Sequence, residues 1–431
     1  MRRELVGRSR ALSDVCELIV DCEHKTAPTQ EEGYPSIRTP NVGRGRLILE
    51  GVNMVSEETY RLWTRRAIPQ KNDLILARDA TIGNVAIVPD KIKVCLGQRT
   101  VLIRPDETKI DPGYLVNLLL ADEIQSKIQS MANGATVGHL NVKDIRELAL
   151  PDLPPLPVQH KIASILSSYD DLIENNTRRI KIFEEMASVI FREWFVEFRG
   201  PGVELRKATP EEQKMTGKDK FPKGWGVKKL GEFVSVDKGI SYKGSGLTPD
   251  GKPMVNLKNI MPGGGFRRDA TKPYSGDHKP RHVVRERDIV LANTDLTQAG
   301  NVVGSPALIP QIRDNEALFS HHLYAIRFNK NSELGAFFTY HLLLTHQFKA
   351  FARGIASGTT VLGMPKEAVL NFLFVKPSVP LVTRFDETVV SFYGLMDSLN
   401  KTNDILRQTR DLLLPKLFSD ELNVENIDIT C

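Results

Sequence analysis

The sequence predicts an α+β protein built twice, with two globular domains and two long helices. Three observations predict it. Two stretches, one central and one C-terminal, carry apolar residues at heptad spacing. The β-rich text before each of them repeats at about half the chain length. Composition has room for both copies, because 431 residues that are 41% apolar and 26% charged suit an ordinary soluble chain with two or three cores.

The central stretch, Val158 to Phe198, contains no Pro or Gly. Its seam reads Ile162, Ile165, Tyr169, Leu172, Asn176, Ile180, Phe183, Ala187, Ile190 and Trp194, with one heptad slip near Ile180. The closing stretch, Val379 to Phe418, is more regular: Val382, Phe385, Val389, Phe392, Met396, Leu399, Asn403, Leu406, Arg410, Leu413 and Leu417. Sustained alternation of three and four residues predicts coiled-coil pairing. At about 1.5 Å per residue, each helix reaches roughly 60 Å. Two such helices read as a spacer, and an ordinary helical hairpin core is the plainer alternative. Asn176 and Asn403 fall in the seams, where a buried amide fixes register.

Taken in order, residues 1–157 form the first domain. PSIRTPNVGRGRLIL, NDLILARDATIGNVAIVP and KVCLGQRTVLIRP are strands punctuated by turn residues. DPGYLVNLLLADEIQSKIQSM is one helix with Asp111 as N-cap and Pro112 at its first position. A short helix around Asn141 to Arg146 and a strand in ELALPDL follow, and LPPLP is a stiff connector. Residues 158–198 are the central helix. Residues 199–224, rich in Gly, Pro, Lys and Glu, are a linker. Residues 225–378 are the second domain, 379–420 the C-terminal helix and 421–431 a tail.

The second domain restates the first. Leu12-Ser13-Asp14-Val15 returns as Leu230-Gly231-Glu232-Phe233, and Pro35 as Pro253. Asn72 to Ala77 returns as Arg287 to Ala292, Gly83-Asn84-Val85 as Gly300-Asn301-Val302, and Gly134-Ala135-Thr136 as Gly358-Thr359-Thr360. The agreement is one of pattern and not identity. A whole unit, domain plus helix, is duplicated, with a shared backbone plan and diverged surfaces. A protein of this kind grips two separated sites, as twofold proteins grip DNA half-sites.

Signals for catalysis are missing. No GxxxxGK[ST], GxSxG, HExxH or kinase set occurs. Gly263-Gly264-Gly265 reads as a turn, and Asp170-Asp171 and Glu184-Glu185 as solvated helix faces. The cysteines Cys16, Cys22, Cys95 and Cys431 form no CxxC and no metal spacing with the histidines, so no metal is expected and a reduced, cytoplasmic setting is. No h-region follows the basic N-terminus and no run is long enough to span a membrane. The net charge of +5 permits a polyanionic partner without proving one. Candidate DNA-binding residues lie in the loops. They are Arg38, Asn41, Arg44, Arg46, Arg78, Asn84, Gln98 and Arg99 in the first domain, and Asn256, Lys258, Asn259, Arg267, Arg268, Asn293, Gln298 and Asn301 in the second. Arg and Lys reach phosphates and guanine edges, and Asn and Gln pair with adenine edges. Polar loops are also the default of any surface.

The duplication, the run from Gly134-Ala135-Thr136 through Leu148, LPPLPVQHKIASIL leading into DLIENNTRRIKIFEEMASVIFREWFVEF, and the ending TNDILRQTRDLLLPKLFSDEL together resemble the specificity subunit of type I restriction-modification systems. The resemblance covers nearly the whole chain. The second copy departs where PLVTRFDETV stands for PVQHKIASIL and where Met364 stands for Leu. The resemblance implies two target recognition domains, each reading half of a bipartite DNA sequence. It implies that the long helices pack antiparallel, set the unread gap and dock two methyltransferase subunits, with two restriction and translocation subunits completing the complex. S-adenosylmethionine would be bound by the methyltransferase subunits, and this chain would be no enzyme. The specificity chain of a modification-only system reads the same way. A repeat scaffold for proteins or glycans is the reading from another class, and steep salt dependence of binding separates it from DNA recognition.

Overall fold

The computed structural model describes residues 10–132, 138–297, 299–312, 315–359, 361–419, 421–422 and 424. The chain divides into two compact units, one of residues 1–175 and 402–431 and one of residues 176–401. The division runs through both long helices, so each unit holds a globular domain with part of each helix.

In the first unit a five-stranded sheet is built from Gly45–Arg46, Val85–Ile87, Leu74–Ala77, Thr100–Pro105 and Cys16–Asp21, in that order across it. Leu74–Ala77 reads LILA and is buried on both faces. Its alternating side chains explain why. Leu74 and Leu76 enter the core shared with helices Pro112–Leu120 and Leu156–Phe191, while Ile75 and Ala77 enter a smaller core with Ile37, Val88 and Leu102. A second sheet joins Tyr34–Ile37 antiparallel to Met54–Val55 and parallel to Cys95–Leu96.

The second unit repeats this topology. Val234–Lys238, Leu323–Phe328, Ile289–Ala292 and Pro306–Leu308 form a sheet in the matching order. Ile289 and Leu291 face one core, and Val290 and Ala292 the other. Lys252–Val255 again pairs antiparallel to one strand, Lys272–Tyr274, and parallel to another, Glu316–Phe319. Small devices recur too. Asn72 and Arg287 both take positive φ before an Asp that pairs with an Arg, Asp73 with Arg104 and Asp288 with Arg327.

Strand register corrects one expected match. Leu76 pairs with Val85, and Leu291 pairs with Pro306. The amide of Gly83 bonds Ala77 and that of Gly304 bonds Ala292, and both glycines have positive φ. Gly83-Asn84-Val85 therefore corresponds to Gly304-Ser305-Pro306, and its likeness to Gly300-Asn301-Val302 is coincidental. The second loop is six residues longer, twelve steps from Ala292 to Gly304 against six from Ala77 to Gly83.

The helix expected after Asp111 is two helices, Pro112–Leu120 and Asp122–Ala132. Asp111 does cap the first, accepting from the Tyr114 amide at 2.7 Å. The chain turns at Ala121, whose ψ is 144°, and turns again at the corresponding Thr345 with ψ 147°. The turn lets Ile124, Ile128 and Ala132 face the core. Residues 199–224 are likewise folded. Strands Leu205–Lys207 and Lys220–Pro222 flank helix Pro210–Thr216, which has a Thr209–Glu212 capping box and a left-handed Gly217. One aromatic, Phe221, anchors this polar segment in the core against Phe198, which packs on Trp225. Phe195 and Phe198 are buried and Trp194 is partly so, which makes that aromatic cluster core.

The long helices span Leu156–Phe191, continued by a π-helical turn at Arg192–Val196, and Val379–Phe418. In the first unit the start of one meets the end of the other, with Asp170 bonded to Arg410 and Leu166 sharing a core with Leu417. In the second unit Phe183 stacks on Phe392, and Phe191 meets Phe385 edge-on. Within each unit the helices are thus antiparallel. In the second helix Phe385, Phe392, Leu399, Asn403, Leu406 and Leu413 are all at least partly buried. The first seam shifts. Leu172 is 54% exposed, whereas Leu166 is buried and Ile173 partly so. Through Ile162, Leu166, Tyr169, Ile173, Asn176, Ile180, Phe183 and Ala187 the spacing alternates strictly and no slip is needed. Ile165 packs at the margin of the same core. Among the described residues, no helix is long and apolar enough to cross a membrane.

Candidate nucleic-acid interface

Three loops meet at the same end of the central sheet in each unit. In the first unit they follow Ile37, Ala77 and Leu96. The Gly97 amide donates to the Ile37 carbonyl at 2.8 Å, the Thr81 hydroxyl to the Thr39 carbonyl, and the Arg78 amide to the Arg99 carbonyl at 2.9 Å. The segment after Gly138 joins them, with the Leu140 amide donating to the Arg78 carbonyl. In the second unit the Ser320 amide donates to Val255, that of Asn293 to His322, and that of Met364 to Asn293, each at 2.8–3.0 Å. One set of backbone bonds thus builds the same rim twice.

Position by position, the rim side chains differ. Sheet register pairs Asp21 with Val101 and Lys238 with Tyr324, so Lys238 stands where the first unit has Asp21. Asn293 stands for Arg78, His321 for Gln98 and His322 for Arg99. In the first unit Arg78 donates from Nε to the Leu140 carbonyl and from one terminal nitrogen to Asp21, and the other contacts His139 at 2.8 Å. Burial, then the Arg78 guanidinium, hold His139 below the ordinary imidazole range. In the second unit Thr294 contacts His322 at 2.9 Å, and burial, followed by His321 and Lys238, lowers His322. Asp21, Cys22 and His24 bring possible ligand atoms within 4.8 Å of one another. A cation there would compete with the Arg78 guanidinium already on Asp21, and burial raises the Cys22 thiol.

The candidate readers separate into two groups. Several are spent on the frame and correct the sequence expectation. Arg78 is 5% exposed, Asn293 2% and Asn259 0%. Asn259 accepts from the Asn256 amide and donates to the Arg267 carbonyl, and Asn41 does the same between Arg38 and Ile48. Asn84 donates to the Val42 carbonyl, and Asn293 to that of His321. Arg46 pairs with Asp171 and Glu174, and Arg268 with Asp397, tying each first loop to a long helix. Asn256 is buried and bonds the Ala270 carbonyl, and Gln98 bonds the His24 carbonyl and Thr26. A short amide on a turn finds backbone partners before solvent ones.

The other group stays exposed: Arg38, Arg44, Arg99, Lys258, Arg267 and Asn301. Arg44 donates to the Leu120 carbonyl and Arg99 pairs with Asp79. Among the described residues, Arg38, Lys258 and Arg267 have no side-chain partner within the chain. Gln298 lies outside the described residues, as do Gly134-Ala135-Thr136 and Thr360. The sequence offered neither Asp21, Lys238 nor His139 as a site residue, and it read His322 as part of an apolar strand. Aligning the two halves by strand register, rather than by short motifs, would have brought them forward.

Residues 8–184 match the family described as the type I restriction modification DNA specificity domain. Over 388 residues the chain is 25% identical to the MjaIX type I restriction enzyme specificity subunit of Methanocaldococcus jannaschii, covering 88% of this chain and 84% of that one. The HindI specificity subunit of Haemophilus influenzae is 25% identical over 369 residues, 75% of this chain and 80% of that one. Among solved structures, the type I restriction-modification S subunit from M. genitalium has a TM-score of 0.55 at 18% identity, covering 95% of both chains, a likeness of fold. The class is therefore an α+β protein of two pseudo-repeated domains with two long helices. Residues 8–184 are similar to the type I DNA specificity domain, and most of the chain is similar to the specificity subunits of type I restriction enzymes.

Proposed function

We propose that each globular domain reads one half of a bipartite DNA sequence, that the antiparallel helices set the unread gap, and that they dock two methyltransferase subunits. The observation that carries the reading is the twice-built rim, in which equivalent backbone positions hold Asp21, Arg78 and Arg99 in one unit and Lys238, Asn293 and His322 in the other. A conserved frame with changed polar groups suits two different half-sites. Arg38, Lys258, Arg267 and Asn301 are exposed side chains that reach bases or phosphates, Arg44 and Arg99 join them by exchanging the Leu120 carbonyl and Asp79 for DNA, and Arg78, Asn84, Asn259 and Asn293 position the loops that carry them. Methyl transfer from S-adenosylmethionine to adenine belongs to the methyltransferase subunits, and cleavage to two restriction and translocation subunits. This chain contributes specificity and assembly, in the cytoplasm, and no catalytic group.

The test is co-expression with adenine methyltransferase subunits, followed by mapping of methylated adenines. A bipartite, asymmetric motif with a fixed gap, lost when this chain is omitted, supports the reading. Methylation that persists unchanged without the chain, or failure of the subunits to assemble on it, refutes it.

A further inference from the structure

The second unit carries a basic groove that the first does not. Helix His346–Ile355 presents His346, Lys349 and Arg353 along one side, at helical spacing. Opposite them runs the lengthened loop, with Gly300 and Asn301, and the groove between has a volume of about 480 Å³. Among the described residues, no acidic residue lines it. Lys349 is partly buried, and among the described residues it has no ion pair. Burial lowers its amine below the ordinary lysine range.

The walls keep this space open. A Cβ on Gly300 would lie 3.3 Å from the Arg353 Nε, and one on Gly263 would lie 3.5 Å from the Lys349 Nζ. Both glycines have positive φ. The loop is held by Asp295, which accepts from the Thr297 and Val302 amides at 2.8 and 2.7 Å. That carboxylate is 2% exposed and turned into its own loop, so it does not neutralise the groove.

The first unit fills the same place differently. Counting from the turns at Ala121 and Thr345, Gln125 corresponds to Lys349 and Gln129 to Arg353. Gln125 donates to the Gly83 carbonyl at 2.8 Å and Gln129 to the Ile82 carbonyl at 2.9 Å. These amides close the short loop onto the helix. In the second unit the two positions carry cations, the loop is longer and the bonds are not made.

We propose that the His346–Lys349–Arg353 groove takes backbone phosphate of DNA bound at the second unit's rim, a contact the first unit lacks. The proposal rests on the DNA-recognition reading above. Two clustered cations, the partly buried Lys349 and the exposed Arg353, with no internal anion among the described residues, suit a phosphate oxygen, and Asn301 adds a neutral donor beside them. Contacts of this kind position the duplex and carry no sequence information.

The test converts the second unit to the first unit's residues, Lys349→Gln with Arg353→Gln, in the full chain assembled with its methyltransferase subunits. Binding to the mapped bipartite duplex and to an unrelated duplex is titrated from 50 to 200 mM salt. Each lost phosphate contact lowers the slope of log affinity against log salt by about 0.9, so the slope falls by roughly 1–2 on both duplexes. The methylated motif stays unchanged. Lys214→Gln with Lys220→Gln on the exposed segment after Thr209 removes the same charge elsewhere and leaves the slope within about 0.3 of wild type. A wild-type slope for the groove variant overturns the proposal while leaving DNA recognition intact. So does a variant that loses subunit assembly and keeps the slope, which would make the groove a protein contact. A wild-type complex with no preference for any bipartite duplex overturns the recognition reading itself.

Discussion

Replacing Arg78 with Met separates a side chain that reads DNA from one that builds the reader. Methionine keeps much of the apolar stem and removes the guanidinium. Three contacts go with it, to the Leu140 carbonyl at 2.7 Å, Asp21 at 2.6 Å and His139 at 2.8 Å. Hydrogen bonds with a charged partner contribute about 1.5–3 kcal/mol each and are not additive. Asp21 keeps a contact to His24 and some solvent, which limits the cost of its lost partner. The Leu140 carbonyl bonds nothing else among the described residues. We expect a loss of about 3 kcal/mol, below the 3–5 of a fully buried pair. For a unit of about 200 residues this lowers the melting midpoint by roughly 6–12 °C. Calorimetry on the full chain reads the midpoint, and hydrogen exchange at Leu74–Ala77 assigns the loss to the first unit. Asp21→Asn added to Arg78→Met should recover about 1–2 kcal/mol of the summed cost. An Arg78→Met chain that melts within about 2 °C of wild type but no longer binds the half-site would refute the reasoning and return Arg78 to the readers.

Other outcomes follow from the same geometry. Asn259→Ala orphans the Asn256 amide and the Arg267 carbonyl and should cost roughly 2–4 kcal/mol in urea unfolding, whereas Lys258→Ala stays within about 0.5 kcal/mol and weakens DNA binding; equal stability of the two variants contradicts this. Leu166→Ala should cost about 2–5 kcal/mol and Leu172→Ala less than about 0.5, and the reverse order would restore Leu172 to the seam. Burial pushes the Asp386 carboxyl up to about 6, partly offset by the Phe338 and Phe337 amides. The folded state therefore holds a proton that the unfolded chain gives up nearer 3.8. The stability this contributes is present below the unfolded value and is lost as pH rises through the folded one. Asp386→Asn should flatten the stability profile between about pH 4 and 6, and unchanged slopes in denaturant titrations across that window would count against it.

The duplication and both helices were legible because apolar period and turn residues carry them directly. LILA and IVLA are buried on both faces of their sheets, and such runs stand out in any text. The seam of the first helix was harder. Ile165 and Leu166, like Leu172 and Ile173, are adjacent apolar residues, and only a partner decides which of each pair turns inward. Residues 199–224 read as a linker because their composition is polar, yet Phe221 and a capped helix suffice to order them. The site was least legible. Residue type announces hydrogen-bonding capacity but not its direction, so Asn41 and Asn259, which brace turns, look the same in text as Asn301, which faces solvent. The Gly-Asn-Val match misled for a related reason, since a tripeptide recurs by chance where strand register does not.

The lengthened loop shows how cheaply such a rim can be rewritten. Doubling the path from six steps to twelve costs about 0.6 kcal/mol in closure entropy. That is less than one well-made internal hydrogen bond contributes, and the Asp295 carboxylate supplies several to the longer loop. The flanking strands keep their pairing, Leu76 with Val85 in one unit and Leu291 with Pro306 in the other. Insertions at this point can therefore accumulate without a folding penalty large enough for selection to remove them. Each half of the chain can change its rim while its core stays as it was.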